Sequence, residues 1–165
     1  SFYLAPVNKL LARVLISISE TTAAVKDVTL EEESFREFSR YIASLKPISE
    51  DLRARRVSIN SEALRMALES LHTQIQKAYK VIQHYKASSH LQLLLLCKKL
   101  LQQMQEITNE IGDCLAQLSL ASLEISLDVR NKTIELGKNM QSLEFKAASK
   151  TEDIILKIEE AIQEK

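Results

Sequence analysis

From Leu64 to Tyr85 the chain places Leu64, Leu68, Leu71, Ile75, Ala78, Ile82 and Tyr85 at alternating steps of four and three. Few structures accept that rhythm. On an α-helix these residues form one apolar stripe, whereas on a strand they would scatter over both faces. A stripe of this length must be covered by another apolar surface. A second run, Leu93, Cys97, Leu100, Met104, Ile107, Ile111, Cys114 and Leu118, keeps the same spacing. Two such helices pack side by side at a shallow crossing angle. Only two Gly, two Pro and no Trp occur in 165 residues, so helix breakers and strand-forming aromatics are scarce. The fold class is all-α.

The remaining text supplies more helices. Pro6 suits a first turn, and Val7, Leu11, Val14, Ile18 and Val25 make a stripe for a helix ending near Lys26. Thr29 with Glu32 three residues on has the form of a capping box. Phe35, Phe38, Ile42, Leu45, Ile48 and Leu52 follow, with Pro47 inside the stripe, so a kink or short break is expected there. Residues 57–61 read as a connection, with Ser58 or Asn60 capping the next helix. These helices and the two long seams predict a four-helix bundle over residues 1–118. Residues 119–165 read as a connection capped by Ser126 and one or two C-terminal helices that pack on the bundle or extend from it. Val129, Thr133, Leu136, Met140 and Leu143 mark the first, where Gly137 is a weakness of about 1 kcal/mol relative to Ala. Ile154, Ile155, Ile158 and Ile162 mark the second.

The greasiest stretch is SSHLQLLLLCKKLLQQ, residues 88–103. Gln92 interrupts it and Lys98-Lys99 end it, far short of the roughly 20 apolar residues of a membrane span. Ser89 and Gln92 form a second capping box and start the helix. At about 100° per residue, Leu94 and Leu96 flank the seam, while Leu95 points nearly opposite, close to Leu91 and among Lys98, Gln102 and Glu106. That off-seam spot is covered either by a fifth helix or by a partner protein.

Charge bounds the function. Lys plus Arg number 22 and Asp plus Glu number 22, a balance that argues against broad capture of nucleic acid. Glu31-Glu32-Glu33 is explained as carboxylates in a first helical turn, favoured by the helix dipole. Arg53, Arg55, Arg56 and Arg65 read either as a solvated helix end or as a basic corner that docks an acidic tail, a phosphorylated segment or anionic lipid. The start, Ser1-Phe2-Tyr3-Leu4, has neither an initiator Met nor a signal-peptide layout and reads as part of a longer protein.

No chemistry emerges from the motifs. His72, His84 and His90 have no metal spacing with one another or with the cysteines. Cys97 and Cys114 lie on the core seam, roughly 25 Å apart at helical rise, too far to pair with each other. Two unpaired thiols fit a reducing cytoplasmic compartment. There is no phosphate loop and no nucleophile elbow. Asn131-Lys132-Thr133 is a sequon only by accident, inside a helix. No catalytic, cofactor-binding or metal residue is assigned, and the chain reads as non-enzymatic.

With these residues in view, the chain resembles the N-terminal domain of plant U-box, armadillo-repeat ubiquitin ligases. SLKPISEDLRAR (44–55) and SEALRMALESLHTQIQKAYKVI (61–82) look like that domain's second and third helices. SSHLQLLLLCKKLLQQMQEITNEIGDCLAQL (88–118) looks like its Ser-Lys-Leu-Tyr-Leu segment and fourth helix. LSLASLEISLDVRNKTIELGKNMQ (118–141) resembles the connection that follows, and EFKAASKTEDIILKIEEAIQE (144–164) the helix leading toward the U-box. His90 stands where many members have Lys, and Gln92 where many have Tyr, which places the chain in a side branch.

The resemblance implies a bundle like the adaptor bundle of Cbl-type ligases. It also implies a parent ligase whose U-box, outside this sequence, recruits a ubiquitin-conjugating enzyme. The domain itself would be a non-catalytic docking module for receptor-like kinases, exocyst subunits or other regulators in immune and stress signalling. Its location would be cytoplasmic, or peripheral at the plasma membrane. The partner-binding candidates are Leu91, Leu95, Lys98 and Gln102, together with Arg53, Arg55, Arg56 and Arg65. The alternative is a membrane-active bundle of the plant resistance-protein or necroptotic type, with the arginine corner meeting anionic lipid.

Overall fold

The computed structural model describes residues 6–26, 28, 31–54, 62–121 and 126–164. Among these, seven helices form and no strand: α1 (Val7–Val25), α2 (Glu32–Ala43), α3 (Leu45–Ala54), α4 (Glu62–Ala87), α5 (His90–Ala121), α6 (Leu127–Ser142) and α7 (Ser149–Gln163). The most extensive pairings are α4 with α5, α5 with α6, and α1 with α4; α2 and α3 lean on α1. The chain is an all-α helical bundle.

The two long seams behave as their spacing requires. All seven stripe residues of α4 and all eight of α5 are buried. They meet Leu11 and Val14 of α1, Phe35, Phe38 and Ile42 of α2, and Leu45 and Leu52 of α3 in one continuous core. The expected break near Pro47 falls three residues earlier, at Ser44. Proline's ring would clash with the carbonyl of Ala43, and its missing N–H could not bond there. By ending α2 first and restarting at Leu45, the chain puts Pro47 in a first turn, where no N–H is required. The Ser44 N–H and hydroxyl both reach back to the Arg40 carbonyl, at 3.0 and 2.8 Å, and close the old helix.

Two caps read from sequence are formed. The Ser89 hydroxyl accepts from the Gln92 N–H at 3.2 Å while the Gln92 side chain accepts from the Ser89 N–H at 2.8 Å. Ser126 accepts from the Val129 N–H at 3.2 Å and starts α6. The Thr29 cap differs: α2 begins only at Glu32, with Glu31 as its capping residue. Thr29 itself, and the connection 57–61 with Ser58 and Asn60, lie outside the described residues.

Helix α5 also runs on through Ala121, past the expected end at Leu118. It is buried along a second stripe, in which Leu94, Leu101, Thr108 and Leu115 recur every seven residues. The Thr108 hydroxyl is satisfied by its own helix, on the Met104 carbonyl at 2.8 Å. Helix α6 packs on α5 at a crossing made by both glycines of the chain. A Cβ added at Gly112 would lie 2.8 Å from the Gly137 carbonyl oxygen, and one at Gly137 would lie 3.2 Å from that of Gly112. Gly137 is therefore the contact that lets two backbones touch, and not a mere weakness in its helix.

Residues 143–148 then form an extended strap that leads to α7, which lies on α5. The C-terminal helices thus pack back on the bundle. Among the described side chains of α7, only Thr151 and Ile155 are buried; Ile162 is 63% exposed, so the expected isoleucine stripe is buried only near its start.

Candidate interaction surface

Leu91 and Leu95 are 59% and 52% exposed. The fifth helix does not cover them: α6 crosses α5 at Gly112, some five helical turns further along. Leu93 and Leu94, their direct neighbours, are buried. The leucine run therefore splits as its helical phase dictates, into a core half and an outward half.

Lys98 and Gln102 are exposed on the same helix, but they belong to a different feature. Together with Leu101 and Gln105 they edge a crevice between α5 and the strap, closed from the other side by Phe145 and Glu152. The Gln102 amide reaches Glu106 one turn on, at 3.5 Å. Only two members of the arginine corner fall among the described residues. Arg53 is exposed in the last turn of α3, Arg65 is half-buried in the first turn of α4, and Arg55 and Arg56 lie outside the described residues.

The strap is held by polar clamps that sequence reading did not find. Gln105 uses both ends of its amide: its nitrogen donates to the Leu143 carbonyl, and its oxygen accepts from the Phe145 N–H at 2.7 Å. The Phe145 ring meets Phe38 edge-on, with centroids 6.0 Å apart. Three residues later the Ala148 N–H, which opens α7, donates to both carboxylate oxygens of Glu31 at 3.0 and 3.1 Å. Glu31 is only 7% exposed and sits at φ 56°, ψ 35°, a left-handed conformation that a glutamate adopts at a cost of about 1–3 kcal/mol. It is thus a capping anion for a helix more than a hundred residues away, and not a first-turn carboxylate of its own helix as its sequence position implied. The local sequence carries no trace of that partner.

The chemically reactive side chains are quiet. Cys97 and Cys114 are buried free thiols. Burial, and then Glu31, pushes the Cys97 thiol up to about 11; burial, then Glu110 and Asp113, does the same for Cys114. Burial also raises the Tyr85 phenol, with Cys97 and Glu31 adding to the effect. His72 is half-buried and shifted below its ordinary value by burial and then by Arg13. His84 and His90 are exposed. No cluster of three or more His, Cys, Asp or Glu side chains that could hold a metal ion occurs among the described residues. A groove between α4 and α5 is open and mixed in charge, lined by Lys77, Lys80, Glu106 and Glu110 among others. Among the described residues, no helix is long and apolar enough to cross a membrane.

No protein-family model, no curated protein and no solved structure matches this chain.

Proposed function

We propose that this chain is a non-catalytic protein–protein interaction domain, of the kind that docks regulators for a plant U-box ubiquitin ligase. The observation that carries the reading is the exposed pair Leu91 and Leu95, one turn apart at the start of the longest helix. Single exposed leucines are ordinary, but two in register on a rigid helix form the anchor that a partner's groove or helix can bury. The sequence resemblance supplies the ligase context, and with it the classes of partner: receptor-like kinases, exocyst subunits or other immune and stress regulators. A cytoplasmic or peripheral plasma-membrane location, and a ubiquitin-conjugating enzyme recruited through a U-box outside this sequence, belong to the same proposal.

The test is affinity capture from plant extract with the wild-type chain and with the Leu91→Asp/Leu95→Asp double variant. Partners retained by the first and lost by the second support the reading. Equal capture by both, with the fold intact, removes this surface. Co-sedimentation with phosphatidylserine vesicles at low salt separates the membrane-active alternative, which requires the chain to pellet.

A further inference from the structure

The strap and α7 are attached in an unusual way. Of the α7 side chains, Thr151 and Ile155 are fully buried, while Leu156 and Ile162 on the same helix remain largely exposed. Among the described residues, polar contacts that fix the segment include the Gln105 amide on Leu143 and Phe145 and the Glu31 carboxylate on Ala148. Water would replace the lost partner at each of these groups once the segment lifts away, so opening need not orphan a polar group. Release must overcome the apolar contacts of Phe145 with Phe38, of Ala147 with the core, and of the buried Ile155.

We propose that residues 143–163 are a resident, releasable ligand of a docking groove built from Glu31, Phe38, Leu101 and Gln105, and that a partner helix of the same chemistry displaces them. The groove recognises three features in fixed order. Gln105 pairs with extended backbone, as a strand neighbour would. Phe38 takes an aromatic ring. Glu31 takes the N-terminus of a helix, where free N–H groups and the helix dipole favour an anion. A competing segment therefore carries an aromatic residue three places before its helix cap, and β-branched residues six and ten places after that aromatic, as Phe145, Thr151 and Ile155 do. The left-handed backbone at Glu31 fits this role, because strain held at one buried side chain marks a position fixed for recognition. The exposed Lys98 and Gln102 at the crevice edge would then touch the incoming partner as well.

The inference rests on the interaction-module reading only for the partner; release of the segment is measured on the chain alone. In hydrogen exchange of the full chain, the α7 amides should exchange by local opening, well ahead of α4 and α5. Equal protection of α7 and α5 would refute release. The second experiment uses Ile155→Asp, which damages the ligand and leaves the groove intact; Phe145→Ala serves the same purpose if the first variant does not fold. A fluorescent peptide spanning residues 143–163 should bind the opened chain saturably and the wild type at least about tenfold more weakly. Adding Glu31→Ala to the opened chain should weaken that binding by about tenfold or more, as expected for lost hydrogen bonds to a charged group. No binding to the opened chain, equal binding to wild type, or indifference to Glu31→Ala each overturns the proposal. These outcomes are independent of Leu91 and Leu95, so failure here and failure of the docking surface are told apart.

Discussion

Gly112 and Gly137 meet backbone to backbone where α5 and α6 cross, and no side chain fits between them. A Cβ at position 112 would stand 2.8 Å from the Gly137 carbonyl oxygen and 2.9 Å from the Gln141 nitrogen. The Gln141 Cγ, also 2.8 Å away, can swing aside, but the two backbone atoms cannot, so the helices must separate to admit it. Gly112→Ala therefore combines an overpacking cost of about 1–3 kcal/mol with a helix-propensity gain of about 1 kcal/mol. At Gly137 the nearest atoms lie at 3.2 and 3.3 Å, a tight fit that small adjustments can relieve. Chemical denaturation should show Gly112→Ala destabilised by up to roughly 2 kcal/mol and Gly137→Ala close to neutral. Equal effects at the two positions would mean that the crossing is looser than described.

The long seams, the caps at Ser89 and Ser126 and the outward Leu91 and Leu95 were legible in the sequence because each follows from local period or local hydrogen bonding. The second stripe of α5 was also present in the text, at Leu94, Leu101, Thr108 and Leu115, but the polar Thr108 interrupts it. A buried threonine that bonds its own helix looks like a surface residue when only hydropathy is considered. The glycine crossing and the Glu31 clamp could not be read in the same way. Each joins positions far apart in the chain, and neither residue type announces a partner. Pro47 showed that the helix would break but not that the break would fall at Ser44, which depends on where the proline's carbonyl clash can be avoided.

Cys97 and Cys114 should react slowly with a thiol reagent in the folded chain at pH 8. Both are buried and both thiols are pushed up to about 11, so little thiolate is present and access is poor. The same shift predicts a pH dependence. A group whose folded value is raised gives stability that is complete below its ordinary value of 9 and is lost as pH climbs through about 11. Between those limits the loss should be on the order of 2–3 kcal/mol per thiol. Denaturation of wild type and of Cys97→Ala/Cys114→Ala across this range checks it: the variant starts less stable at neutral pH, because it leaves cavities, but its alkaline limb is flatter. Parallel limbs would remove the cysteines from the account, leaving the raised Tyr85 phenol, which acts above its ordinary 10.

His72 works in the opposite direction. Burial and Arg13 lower its pKa below 6.5, so the unfolded chain takes up a proton before the folded one does. Its contribution is complete above pH 6.5 and is lost as pH falls through the depressed value. Thermal melts from pH 7.5 to 5 should therefore fall more steeply for the wild type than for His72→Gln. A pair of parallel curves would count against the shift. Arg13→Gln, which removes the second cause while leaving burial, should soften the fall only in part.

Leu91 and Leu95 permit a test of surface against core within five residues. Because both are more than half exposed, Leu91→Asp/Leu95→Asp should leave stability nearly unchanged, within about 0.5 kcal/mol per substitution. Leu94, one position away, is 7% exposed, and Leu94→Asp would bury an unpaired carboxylate. That change should cost several kcal/mol, in the range that large core disruptions reach. Urea denaturation of the two variants reads the contrast directly. A double surface variant as damaged as Leu94→Asp would mean that the exposed leucines are covered in solution, by a second copy of the chain or by residues outside those described. A wild-type midpoint that rises with protein concentration would single out the second copy, since association stabilises only the folded state.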